Sequence, residues 1–216
     1  MTSSFIPPRP QSLFIDGPVG KLQAIVEEPE NMSYQHCAVL CHLHPLHGGT
    51  MTNKIIHTLA RTFNEYGVPT VRFNYRGVGE SEGSYGEGIG ETEDALVVIR
   101  WAQQRWNNVP LWLAGVSFGG GVALRAAQQV VAERMIMVAP AVAREAPLDN
   151  LPTCPWLIVQ GDADDVVPPE LVTQWVRQMP RQPNLVMLPG VGHYFHGKLG
   201  ELREVVRNWL SSDTRA

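Results

Sequence analysis

Leu111-Trp112-Leu113-Ala114-Gly115-Val116-Ser117-Phe118-Gly119-Gly120-Gly121 sets a short apolar run, a serine between two glycines and the start of an apolar helical segment in direct succession. A strand that turns at once into a helix brings two backbones too close for side chains at 115 and 119, which explains the glycines. The same turn lifts the Ser117 hydroxyl above the end of the strand. The helix that begins there adds unpaired N–H groups and a positive dipole end, both suited to a developing oxyanion. The simpler alternative is a Gly-rich turn with Ser117 as a helix N-cap.

Working outward, the same alternation repeats along the chain. Apolar runs at 37–41, 68–73, 111–114, 135–139, 156–159 and 185–188 alternate with segments of helical period at 53–66, 92–106, 118–131, 170–179 and 199–210. Right-handed crossovers between runs that are apolar on both faces predict an α/β fold, a doubly wound, mostly parallel sheet with helices on both sides. Before them, 12–15 and 21–26 flank the turn residues Asp16 to Gly20 and read as an antiparallel hairpin at the sheet's edge. The expectation is one domain over residues 1–216, with 1–11 as an extended lead-in.

Composition narrows the function. Seventeen Lys and Arg against twenty-one Asp and Glu give a net charge of −4, which offers nothing to nucleic acid or an anionic membrane. No apolar run approaches the ~20 residues of a membrane span. The first residues lack the basic start and apolar core of a secretory signal, so a cytoplasmic location is expected. Cys37 and Cys41, four apart on one strand, stand about 13 Å from each other, beyond disulfide reach. All three cysteines are read as buried free thiols.

Ligands of such sheets bind beyond the carboxyl ends of the strands, so the residues after each run carry the chemistry. A serine hydroxyl becomes a nucleophile when a neutral imidazole takes its proton. After 156–159 comes Gln160-Gly161-Asp162-Ala163-Asp164-Asp165-Val166-Val167-Pro168, and after 185–188 comes Pro189-Gly190-Val191-Gly192-His193. Serine, carboxylate and histidine therefore follow in the order this architecture uses. Asp162, Asp164 and Asp165 are all candidate acids, and the two not chosen would solvate the loop or cap the next helix. His196 is the alternative to His193.

The elbow at 115–119, the G-x-x-D-x-V-V-P of 161–168 and the G-x-x-H of 190–193 together resemble the α/β-hydrolase superfamily. The likeness is to its small, lidless bacterial serine hydrolases and carboxylesterases, near the dienelactone hydrolases, and it spans about residues 36 to 210. It implies Ser117 as nucleophile, His193 as base and Asp164 as acid, three residues beyond the glycine. It also implies an oxyanion hole from the N–H groups of Phe118 and His44, with that of Leu43 as the alternative second donor. The loop Cys41-His42-Leu43-His44-Pro45-Leu46-His47-Gly48-Gly49-Thr50 resembles the family's H-G-x loop, with Leu43 where glycine is common.

Arg76-Gly77-Val78-Gly79-Glu80-Ser81 resembles the family's R-G-x-G-x-S loop, in which Arg76 anchors a turn or meets substrate. Leu43, Leu46, Tyr85 and Tyr194 are the expected substrate-binding surface, each equally placed to pack on the sheet. The spacing His42, His44, His47 also matches a zinc site, but the serine chemistry already accounts for catalysis, so neither metal nor cofactor is expected. The implied activity is hydrolysis of small carboxylic esters through an acyl-enzyme, the partner being a small-molecule ester. A thioesterase or peptidase would use the same residues, and a non-catalytic homologue would keep the pocket alone. Ser117 argues against a haloalkane dehalogenase, which needs Asp there, and against a dienelactone hydrolase, which usually carries Cys. The sixteen or so residues between the runs ending at 139 and starting at 156 leave no room for a cap domain.

Overall fold

The structure, a computed structural model, describes residues 5–30, 33–141 and 151–212. Residues 142–150, most of the segment judged too short for a cap, and residues 1–4 of the expected lead-in lie outside the described residues.

Eight strands form one sheet: β1 (Gln11–Gly17), β2 (Gly20–Glu27), β3 (Cys37–Cys41), β4 (Thr70–Phe73), β5 (Leu111–Val116), β6 (Ala132–Val138), β7 (Trp156–Gly161) and β8 (Asn184–Leu188). Their order is β1-β2-β4-β3-β5-β6-β7-β8. β1 and β2 pair antiparallel, β2 meets β4 antiparallel, and every later pairing is parallel. The helices are α1 (Lys54–Glu65), α2 (Ile89–Arg105), α3 (Phe118–Ala127), α4 (Pro169–Arg177) and α5 (Leu199–Ser212).

Successive residues of a strand face opposite sides of the sheet, and here both sides are covered. Val39 and Leu113 pack with Val98, Ile99 and Val122 of α2 and α3, whereas Leu40 and Ala114 pack with Ile55 and Leu59 of α1 and Val206 of α5. That is why the strands read as continuous apolar runs. Among the described residues no helix is long and apolar enough to cross a membrane. The cysteines are free; Cys37 and Cys41 are buried, and Cys154, expected to be buried, is half-buried. Burial pushes the Cys37 and Cys41 thiols up to about 12.

Of the element boundaries that differ from the sequence reading, three have a clear local reason. β4 starts at Thr70 because Val68 still closes α1, its N–H donating to Phe63 O at 3.1 Å. α2 starts three residues early because the Glu91 carboxylate reaches back to the N–H groups of Gly88 (2.6 Å) and Gly86 (2.8 Å). α3 stops at Ala127, where Gln129 and Val130 both turn their N–H groups onto Ala126 O.

The loop after β4 is held by Arg76. Its Nε and Nη2 donate to Asp94 of α2 at 3.0 and 2.8 Å, its backbone N–H donates to the same carboxylate at 2.9 Å, and Nη2 also meets Glu93. Both Arg76 and Asp94 are buried, so the arginine is a loop anchor with its guanidinium already committed. Removing one partner of a buried pair strands the other charge, so Asp94→Ala should cost about 3–5 kcal/mol. In a chain of this size that is a fall in Tm on the order of 10 °C, read directly from a thermal melt.

Candidate active site

Ser117 sits between β5 and α3 with φ +53° and ψ −118°, a conformation that L-residues rarely adopt. Its surroundings enforce it. A Cβ on Gly115 would lie 2.1 Å from Gly119 O, and one on Gly119 would lie 2.2 Å from Cys41 O. The Ser117 N–H donates to Val138 O of β6 at 2.9 Å, which fixes the turn to the neighbouring strand.

The loops after β7 and β8 are joined to each other backbone to backbone. Asp162 N donates to Leu188 O and Ala163 N to Val191 O, both at 3.1 Å, and a Cβ on Gly161 would meet Val191 O at 2.0 Å. Asp162, expected to solvate its loop or cap a helix, instead accepts Gly190 N–H at 2.6 Å and so ties the two loops; α4 has no side-chain cap. This zipper carries Asp164 and His193 into reach of Ser117.

His193 Nε2 stands 3.0 Å from Ser117 Oγ, and Nδ1 stands 2.9 Å from Asp164 Oδ2. With Nδ1 donating to the carboxylate, Nε2 is left as the acceptor for the serine proton. Asp164 receives four donors: His193 and Gln160 Nε2 (2.9 Å) on Oδ2, and the N–H groups of Val166 (2.9 Å) and Val167 (2.8 Å) on Oδ1. Burial opposes its ionisation, but the bonds from His193, Val167 and Val166 outweigh burial and hold its pKa below the usual carboxylate value. All three residues are buried. His196 is exposed and stacks on Tyr194 instead.

The loop after β3 is anchored by His42. Its Nδ1 lies 2.7 Å from Leu43 O, and its Nε2 accepts the Tyr75 N–H at 3.4 Å. Desolvation lowers its pKa to about 3, so the ring is neutral and Nδ1 is the donor. The Leu43–His44 peptide is thereby oriented by its carbonyl, and because it is trans its N–H points away from the His42 ring. At the loop's far end, Met51 is gripped by Asn74 Oδ1 on its N–H (2.8 Å) and by Arg72 on its carbonyl (2.9 Å). His44 caps a short 3-10 turn, Pro45–His47, accepting Leu46 N–H on Nδ1 at 3.2 Å. The rings of His44, Phe118 and Tyr85 cluster beside the elbow, 4.8 Å between His44 and Phe118 and 5.4 Å between His44 and Tyr85.

Of the expected substrate residues, Tyr85 thus reaches the elbow, and Tyr194 stands edge-on to His193 with ring centroids 5.1 Å apart. Two are placed elsewhere. Leu43 buries its side chain in the core layer formed with Ile55 and Leu59, because its carbonyl is the group turned towards His42. Leu46 is 67% exposed, the 3-10 turn aiming it into solvent. Among the described residues no group of three His, Cys, Asp or Glu converges on a point that would suit a metal, and both His42 nitrogens are already engaged.

The sequence reading missed Gln160. It ends a strand that is otherwise apolar, and a buried polar residue at the C-terminal end of such a run is the signal that would have found it. Its Nε2 also meets Gly161 O (3.3 Å) and Val167 O (3.2 Å), so one amide holds both the carboxylate and its loop.

A parallel sheet with a serine on a strained strand–helix turn, in line with an imidazole and a carboxylate from later loops, defines the α/β serine hydrolases as a class. Known proteins agree. The model of the serine aminopeptidase S33 family matches residues 39–153. An α/β serine hydrolase homologue from Coxiella burnetii is 43% identical with a TM-score of 0.89, covering 93% of this chain and 97% of that one. A Xanthomonas campestris protein described as an α/β serine hydrolase without lid is 38% identical, TM-score 0.86, over 96% and 98%. An uncharacterized Rickettsia prowazekii protein is 28% identical over 213 residues, 92% of this chain and 87% of that one. The chain belongs to the α/β serine hydrolases, within this S33 family.

Two measurements probe the supporting residues. Unfolded His42 takes up a proton below about 6.5, whereas folded His42 does so only near about 3, so unfolding binds a proton across that window and stability falls as pH falls. From pH 6.5 to pH 5 the loss due to His42 is about 2 kcal/mol, and denaturant titrations of His42→Asn should show a pH dependence shallower by that amount. Gln160→Leu should lower kcat roughly three- to tenfold with KM little changed, since one of four donors to Asp164 is lost. Unchanged kinetics would reduce Gln160 to a packing residue.

Proposed function

We propose that the protein hydrolyses small carboxylic esters through a Ser117–His193–Asp164 triad. The observation that carries the reading is the unbroken line from Ser117 Oγ to His193 Nε2 (3.0 Å) and from His193 Nδ1 to Asp164 (2.9 Å). Ser117 Oγ attacks the acyl carbon as His193 takes its proton, and the carbonyl π electrons move onto oxygen. The N–H groups of Phe118, first in α3, and of His44, whose peptide His42 orients, stabilise that oxyanion. The tetrahedral intermediate collapses, the C–O bond to the alcohol breaks, and His193 returns the proton to the departing oxygen. Water, deprotonated by His193, then attacks the acyl-enzyme and regenerates Ser117. Asp164, ionised and fully bonded, keeps the imidazole in the required tautomer and stabilises its protonated form.

The family description names an aminopeptidase, and this triad would also open an amide or a thioester. An aminopeptidase has to hold a free ammonium group close to the acyl carbon. The one carboxylate of the triad is already committed to four donors, which favours the ester reading. The substrate is a small soluble ester and the setting is cytoplasmic, in keeping with the chain's charge and cysteines.

Ser117→Ala is expected to reduce hydrolysis of p-nitrophenyl acetate and butyrate by about 10³-fold or more and to abolish labelling by a fluorophosphonate probe. A variant that keeps its rate overturns the reading. Turnover of alanine p-nitroanilide faster than of the esters selects the peptidase instead.

A further inference from the structure

A cleft of about 380 Å³ opens between the oxyanion loop with the start of α1 on one side and the loop after His193 with the start of α5 on the other. Tyr194 lines it, and the same ring stands edge-on to His193 with centroids 5.1 Å apart. The cleft therefore begins one side chain away from the imidazole. It does not touch Phe118 or Tyr85, the aromatic residues grouped on the other flank of the elbow.

Its lining mixes apolar Ile55, Phe195 and Leu199 with polar groups, none of them acidic. Thr50 and Thr52 turn their hydroxyls towards each other at 2.9 Å, and Lys54 and His196 bring cationic or proton-donating groups. No Asp or Glu lines the cleft, and among the described residues no carboxylate pairs with Lys54. Lys54 opens α1, whose first turn contains no acidic residue. The acidic residue in the first turn of α5, Glu201, is engaged by Lys198 at 2.6 Å. An ammonium group and hydroxyls around one space match the acceptors of a phosphate or carboxylate.

We propose that this cleft is an anion subsite for the alcohol part of the substrate, so that the preferred ester carries a phosphate or carboxylate on its leaving group. The assignment to the leaving side rests on the triad reading. His193 must reach the departing oxygen to protonate it, and the cleft adjoins His193 rather than the aromatic flank.

A binding measurement that needs no turnover tests the cleft by itself. Calorimetric titration of the Ser117→Ala protein with glycerol 3-phosphate should give saturable millimolar binding, at least roughly tenfold tighter than glycerol, and weaker at high salt. Lys54→Glu should abolish it. A glutamate in the first turn of a helix is favourable, so the loss would not be unfolding. Equal responses to glycerol and glycerol 3-phosphate, or undiminished binding by Lys54→Glu, overturn the proposal. Lactate sorts the anion: binding comparable to glycerol 3-phosphate makes a carboxylate sufficient, and weaker binding assigns the site to phosphate.

With the active enzyme, kcat/KM for 1-butyrylglycerol 3-phosphate should exceed that for 1-butyrylglycerol by roughly tenfold, the ratio collapsing in Lys54→Glu. A ratio near one overturns the leaving-group assignment. Turnover of p-nitrophenyl butyrate judges the ester chemistry separately. A protein that cleaves it without binding glycerol 3-phosphate keeps the triad and loses the subsite, and the reverse result keeps the subsite and loses the triad.

Discussion

Three backbones meet around Ser117 with no space for a side chain between them. The end of β5, the first turn of α3 and the loop after β3 come so close that a single methyl group at 115 or 119 would overlap a carbonyl oxygen. This contact is the constraint on which the site depends. It holds the serine in its positive-φ conformation, it sets the start of α3 beside the hydroxyl, and it presses the loop after β3 against both. The sheet supplies the force: two apolar layers clamp β3 and β5 together, and the local strain is borne by burial spread over the whole domain.

Proton placement follows from how each polar group is buried. Asp164 is removed from water but given four donors, so it stays ionised where burial alone would neutralise it. His42, equally buried, stays neutral because desolvation outweighs the bond to the Leu43 carbonyl, which alone would favour the charged ring. His42 orients a peptide, whereas His193 has a carboxylate facing its ring. The two loops that carry Asp164 and His193 are tied to each other by backbone bonds and by Asp162, so their relative position does not depend on side-chain packing alone.

Much of this was legible in the chain. The alternation of apolar runs with helical segments gave the doubly wound sheet because both faces of the strands are covered, and the glycines at 115 and 119 marked the tight turn that carries Ser117 because the close approach leaves no other residue possible. What sequence could not show were contacts set by tertiary geometry. Leu43 looked like a pocket residue, and only the turn of its carbonyl towards His42 reveals that its side chain must face the core. The residues alone left Asp162, Asp164 and Asp165 open, the family resemblance pointed to Asp164, and the zipper between the β7 and β8 loops shows why Asp164 is the carboxylate that meets the imidazole. The cleft beside Tyr194 draws on residues some 140 positions apart, and no local pattern announces it.

Cys41 ends β3, from which the loop of His42 and His44 springs, and its carbonyl is the one that Gly119 abuts. With burial pushing its thiol up to about 12, almost no thiolate forms there at neutral pH. Sulfenic acid, mixed disulfides and alkyl adducts all form from the thiolate, so peroxide and electrophiles that titrate ordinary cysteines find almost nothing to react with at Cys41. The loop beneath the site is thereby insulated from redox chemistry, although its sulfur lies in the same core layer as Phe118.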